Sequence, residues 1–163
     1  MLLPIIPKAG FAAFLPQERR LRFFNPHTDE RLRVCYWDNG QYLDNELETV
    51  NHFFRDYRTN GVKDIDVRLL DLLYEISKKI PSGKPLHLIS GYRSPATNRM
   101  LRARSKGVAR HSLHMKGYAA DIRIPGFKTA ALRQIAVDLG VGGVGYYPKS
   151  DFVHVDIGRV RYW

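Results

Sequence analysis

The chain has a single cysteine, Cys35. That excludes an internal disulfide, a zinc ribbon and a thioredoxin-like Cys pair. Cys35 sits in the apolar run "LRVCYW", and the expectation is that it packs in the core. No apolar run approaches the roughly 18 residues that a membrane span needs, so none is expected. Internal repeats, low-complexity segments and Pro/Gly/Ser-rich linkers are missing as well, which leaves one domain as the simplest organisation. Carboxylates are scarce relative to cations: 16 Asp and Glu against 26 Lys and Arg, a formal charge of +10 over 163 residues. Such a field favours a polyanionic partner, whether nucleic acid, anionic lipid or a carboxylate-rich cell wall.

What is present reads as a mixture of hairpins and separate helices. The opening "MLLPIIPKAGFAAFLP" is apolar but interrupted by Pro4 and Pro7; residues 1–18 are read as an N-terminal arm or the remnant of an export leader, and residues 19–163 as the domain. "RLRFFNPHTDERLRVCYW" predicts a hairpin. "DNELETVNHFFRDYRTNG" predicts a helix with Leu47, Val50 and Phe54 inward, capped by Asp44 or Asn45 and stopped at Asn60-Gly61. Asp66 is expected to cap a second helix whose buried stripe is Leu69, Leu73, Ile76 and Ile80. "LHLIS" reads as a buried strand, and Ser94-Pro95 as the cap and first position of a helix running to about Lys106. A strand in "YAADIRI", a helix in "KTAALRQIAVDLG" and a closing hairpin around "PKSD" complete the order. The fold class is α+β: a central antiparallel sheet with flanking helices.

Strand parity then singles out chemistry. In "FVHVDIG", Val153, Val155 and Ile157 share one face and Phe152, His154 and Asp156 the other. In "YAADIRI" the core face is Tyr118, Ala120, Ile122 and Ile124, which leaves Asp121 and Arg123 opposite. If the two strands pair, Asp121 and His154 share one side of the sheet. His114 lies in the loop before the first of them, and Gly117 allows that loop to fold back. Two imidazoles and a carboxylate with an open fourth position form the donor set of a catalytic zinc site on one sheet face. Gly107 and Gly117 bracket the segment from His111 to His114, and no apolar stripe supports a helix through it; His111 is left as a bystander or as a donor to a ligand.

"SLHMKGYAAD", read as Ser-x-His-x-x-Gly-x-Ala-x-Asp, together with "DFVH" resembles the zinc D,D-carboxypeptidases and dipeptidases, within the group of metallopeptidases named for lysostaphin, D-Ala-D-Ala peptidases and sonic hedgehog. "SGYRSPATN", "GGVGYYP", "DFVHVD" and "GRVRYW" bring the likeness nearer to an envelope subfamily of murein endopeptidases, over about Arg19 to Trp163. The resemblance implies zinc ligation by His114, Asp121 and His154. It implies Arg93 as the cation that steadies the substrate carbonyl or its oxyanion, and Asp151 as general base and then acid. Asp156 is the alternative base or a partner of a ligand. The implied partner is the peptidoglycan stem peptide, and the implied location the periplasm or cell envelope. A D,D-carboxypeptidase trimming terminal D-Ala and a non-catalytic zinc module that binds cell wall are the alternatives. Nucleic acid is not expected: the cluster Arg99, Arg102, Arg104, Lys106 and Arg110 has no interleaved aromatics, and basic residues at a helix C-terminus are explained by the macrodipole.

Overall fold

The computed structural model describes residues 17–80, 83–105 and 107–163. The proposed N-terminal arm therefore lies almost entirely outside the described residues, as do Pro81, Ser82 and Lys106. In chain order the elements are β1 (Glu18–Asn25), β2 (Glu30–Asp38), β3 (Gln41–Tyr42), α1 (Asp44–Phe53), α2 (Val67–Lys78), β4 (Leu86–Ser90), α3 (Pro95–Arg104), β5 (Ala119–Arg123), α4 (Thr129–Leu139), β6 (Gly143–Tyr147), β7 (Phe152–Asp156) and β8 (Arg161–Tyr162). Among the described residues the strands form one eight-stranded sheet in the order β3-β2-β1-β4-β5-β7-β6-β8. It is antiparallel except where β1 meets β4 and β6 meets β8, so the sheet is mixed rather than purely antiparallel. No helix among the described residues is long and apolar enough to cross a membrane.

The core lies on one face of this sheet. Leu21 and Phe23 of β1, Val34 and Tyr36 of β2, Leu86 and Leu88 of β4, Ala120 and Ile122 of β5, and Val153 and Val155 of β7 are buried in it. The stripe of α2 packs there as expected, with Leu69, Leu73, Ile76 and Ile80 buried. Asp66 accepts from the Arg68 backbone N–H at 3.0 Å, satisfying one of the donors that a helix start leaves free. Ser94 does the same for Thr97, with Pro95 in the first turn.

Four local expectations are corrected. The cap of α1 is Leu43, and Asp44 is already helical. Helix α1 also ends at Phe53 rather than near Asn60, because the buried Asp56 carboxylate draws the chain aside by accepting from the backbone N–H groups of Arg58 and Ser94. Helix α3 ends at Arg104. Cys35 alternates with the buried Val34 and Tyr36, so it lies on the opposite, outer face of β2, half-buried, with its thiol toward the Trp37 carbonyl.

Candidate active site

Strands β5 and β7 pair antiparallel with Asp121 directly opposite His154. Since side chains alternate across a strand, this register puts both on the sheet face away from the core, as parity required. The third member arrives from a single 3-10 turn, Leu113–Lys116. Gly117 closes that turn in the left-handed region, φ 73°, and any Cβ there would collide with the Asp64 carbonyl. The segment is thus one tight helical turn, neither open loop nor full helix, and only His114 of its two histidines is carried inward. His111 stays exposed at the rim of the cavity described below, and it makes no hydrogen bond among the described residues.

His114, Asp121 and His154 are all buried. Their inward atoms form a near-equilateral triangle. His154 Nδ1 lies 2.9 Å from Asp121 Oδ1, His114 Nε2 lies 3.2 Å from the same oxygen, and the two ring nitrogens are 3.1 Å apart. The outward atoms decide what those inward atoms carry. His114 Nδ1 lies 2.8 Å from the Gly91 carbonyl, which can only accept, so Nδ1 holds the proton and Nε2 presents a lone pair. Gly91 has no room for a side chain, because a Cβ would press on the Phe54 backbone. His154 Nε2 donates to Asp156 Oδ2 at 3.0 Å.

Two imidazole nitrogens and a carboxylate oxygen therefore converge with at most one proton among them. Burial pulls the His154 ring down, but hydrogen bonds to Asp121 and Asp156 and the charge of both carboxylates outweigh it and raise it to about 9. Burial, helped by the neighbouring Arg93 and His154, outweighs the pull of Asp121 and pushes His114 below its ordinary value, so it is neutral. Asp121 would be raised by burial, yet the two histidines hold it well below the usual carboxylate range. One imidazolium proton cannot satisfy three inward-facing atoms. A cation at the centre can, and tetrahedral coordination at 2.0–2.1 Å would set ligand edges of about 3.3 Å, close to the triangle present.

Asp156 is fully buried and committed on every side. It accepts from His154, from Arg161 Nη2 at 2.7 Å, and from the backbone N–H groups of Gly143 and Gly158. It holds the His154 ring in place and has no free oxygen to offer a substrate. Replacing Asp156 with Asn should lower metal affinity by about 10–100-fold, as loss of such an outer partner does, while saturating metal restores most activity. Isothermal titration and assays over a metal series check this.

Arg93 also joins the site. Its Nη2 lies 3.2 Å from Asp121 Oδ2 and 3.3 Å from Ser90 Oγ, and its backbone N–H donates to the His114 carbonyl at 3.2 Å. With His114, Asp121 and His154 it lines an open cavity of about 450 Å³. One wall of this cavity is aromatic. Tyr147 stacks on Phe152 with centroids 4.6 Å apart, the Trp163 indole N–H donates to the Tyr147 hydroxyl at 2.9 Å, and the Trp163 ring is 5.3 Å from His154. Sequence reading did not single out Tyr147, Trp163 or Arg161. The signals for the wall were Phe152, a large aromatic sharing His154's polar strand face, and the motifs "GGVGYYP" and "GRVRYW", which hold Tyr147 and Trp163 but assign them no role at the site.

Asp151 is the residue not brought into this group. It follows the Pro148–Ser150 turn in a left-handed conformation, φ 51°. Its side chain is 61% exposed, accepts from the Thr129 hydroxyl and lies 3.8 Å from Arg123.

Residues 14–163 match the M15_2 peptidase family, described as peptidoglycan L,D-endopeptidase MepK. Among curated relatives, the peptidoglycan L,D-endopeptidase MepK of Escherichia coli (strain K12) is 47% identical over 160 residues, covering 98% of this chain and 88% of the relative. The protein of that name in Shigella flexneri gives the same figures. The probable peptidoglycan L,D-endopeptidase MepK of Haemophilus influenzae is 39% identical over 163 residues, 99% of this chain and 88% of its own length. With a family match over nearly the whole chain and relatives this similar across most of their length, the chain belongs to the M15_2 family of peptidases.

Proposed function

We propose that the protein is a zinc-dependent peptidoglycan endopeptidase that hydrolyses an L,D amide bond between stem peptides, working in the cell envelope where that polymer lies. The observation that carries the proposal is the convergence of His114 Nε2, Asp121 Oδ1 and His154 Nδ1 on one buried point, in a chain whose relatives carry that name. Two nitrogens and one oxygen, with room left for a fourth ligand on the cavity side, suit zinc. When bound, zinc supplies Lewis acidity and brings the pKa of a coordinated water near neutrality.

The chain's own residues do the rest. Gly91 and Asp156 hold the two imidazoles in the tautomers that ligation needs. Arg93 spends one nitrogen on Asp121 and Ser90, and its guanidinium faces the cavity; its remaining N–H groups meet the negative charge that develops on the scissile carbonyl oxygen. The aromatic wall of Tyr147, Phe152 and Trp163 excludes water on one side and gives the peptide a flat apolar surface. Asp151 takes the proton from the attacking water and passes it to the leaving amine. To do so it gives up the Thr129 hydroxyl, and its exposed side chain is not held by the core.

In the metal-free protein a proton occupies His154, so an incoming zinc ion must displace it. Zinc affinity of the apoprotein should therefore rise by about tenfold per pH unit from pH 7 and level off near pH 9, where His154 has lost its proton. Competitive titration against a chelator of known affinity measures this, and a flat profile would remove His154 from the ligand set. The activity itself is tested by digesting purified sacculi. Hydrolysis should stop on chelation and return with zinc.

A further inference from the structure

The outer face of the sheet continues well beyond the metal-binding residues, and its side chains are unlike an ordinary solvated surface. Arg123 shares the face of Asp121, and the register carries that face across three further strands. His87 of β4 sits opposite Arg123, Phe24 of β1 beside His87, and Arg31 of β2 opposite Phe24. The contacts along this row are direct: the Phe24 and His87 rings are 4.8 Å apart, and the Arg31 guanidinium lies 4.7 Å over the Phe24 ring. Beside this row Arg22 and Arg33 stand directly opposite one another, both exposed. Like charges in that relation repel and cost stability. Arg22, Arg31 and Arg33 make no ion pair among the described residues, whereas Arg19, Arg20 and Arg55 each have a carboxylate. Helices α1, α2 and α4 pack on the other face, against the core.

We propose that this bare arginine face, built on Arg22, Arg31 and Arg33, docks carboxylate-bearing stem peptides of the same peptidoglycan whose bond lies in the metal site. The inference rests on the substrate reading above. Charge complementarity and continuity select the occupant. At about 4.8 Å per strand, β1 and β2 lie about 10 and 14 Å from β5, and Arg22 and Arg33 also stand about four residues further along the strands than Asp121, so the three arginines lie about 16–20 Å from it, beyond an extended peptide of about four residues. The unpaired arginines are thus placed, on the same surface, for the carboxylates of stems neighbouring the one whose bond is cut. Arg31, backed by the Phe24 ring, is held in place, which lowers the entropy lost when it takes a carboxylate. Retention on the insoluble polymer is thereby built into the same sheet face that carries the site.

The test uses the zinc-loaded protein and the double variant Arg22→Gln/Arg33→Gln, with Lys63→Gln/Lys79→Gln as a control. The control removes the same charge from the loop before α2 and from its C-terminal end. The arginine variant should melt at the same temperature or higher, since a repulsive pair is gone. At low salt its retention on purified sacculi, and its hydrolysis of them, should fall about tenfold or more, while hydrolysis of a small soluble cross-linked fragment stays within twofold. The wild type should lose the same advantage as salt rises, and the lysine control should behave as wild type. Equal losses in the two variants would show that only net charge matters and would overturn the proposal. So would wild-type binding to phosphatidylglycerol vesicles or single-stranded oligonucleotide as tight as to sacculi, lost alike in the arginine variant. A wild type that cleaves neither sacculi nor fragment would instead refute the substrate reading, whereas unchanged sacculus hydrolysis by the arginine variant refutes this docking face alone.

Discussion

Replacing Asp121 with Ala should leave a protein that retains no zinc after dialysis and hydrolyses peptidoglycan no faster than background. Asp121 supplies the only negative charge among the three inward atoms, and its two oxygens divide the labour. Oδ1 faces both histidines, and Oδ2 faces Arg93. Deleting the carboxylate removes a ligand and also leaves the Arg93 cation and the His154 imidazolium buried with one partner fewer. In the metal-free state that loss costs about 3–5 kcal/mol, the range for breaking a buried ion pair by removing one member. Asp121→Asn separates the two effects. It keeps the volume and part of the hydrogen bonding, so it should fold better than the alanine variant yet still bind zinc poorly. Metal analysis after dialysis and thermal melts with and without zinc check both. Stoichiometric zinc in Asp121→Ala and also in His154→Ala would mean that the metal sits elsewhere.

The second large effect is expected at Asp151. Asp151→Asn should retain zinc and lower kcat by about 10²–10⁴-fold, the usual contribution of a positioned acid–base group. An amide occupies the same space and can still accept from Thr129, so folding should be unaffected, but it cannot take a proton from water. Apart from Asp121 itself, Asp156 is the other carboxylate that meets one of the site's histidines among the described residues, and its burial and its partners His154, Arg161, Gly143 and Gly158 keep it from that role. The two assignments give opposite kinetic signatures. If Asp151→Asn stays active and Asp156→Asn loses kcat even at saturating zinc, the base is Asp156.

Much of this site could be read from period and turn chemistry. Alternation in "YAADIRI" and "FVHVDIG" placed Asp121 and His154 on the polar face, because a half-buried strand has to bury its Val and Ile side. The pairing of those strands was the one conditional step, and the register Asp121 opposite His154 supplies it. Gly117 was legible for a related reason: its position requires φ above zero and the absence of a Cβ. Cys35 was misread because a run such as "LRVCYW" looks uniformly apolar, while a strand with one bare face buries only alternate members of it. The end of α1 was misread because the helix-stopping partner of Asp56 is the Ser94 backbone, 38 residues away. Arg161 on Asp156 and Trp163 beside His154 stand in the motif "GRVRYW" with no role assigned, because their placement depends on how the last strand pairs. The parallel pairing of β8 with β6 brings them there, and local sequence carries no trace of it. Asp151 is the remaining tension between motif and geometry: its spacing to His154 matches the family pattern, while its carboxylate rests on Thr129 and faces Arg123.

The central claim is that this metal centre cuts between stem peptides. The most direct measurement is mass analysis of soluble products after zinc-loaded protein digests purified sacculi and a muramidase then releases the fragments. The account predicts that cross-linked dimers disappear in favour of monomers, each cleavage adding one water, and that the conversion stops with chelator and in Asp121→Ala. Dimers left intact, with terminal D-Ala lost from uncross-linked stems, would contradict it and make the protein a carboxypeptidase.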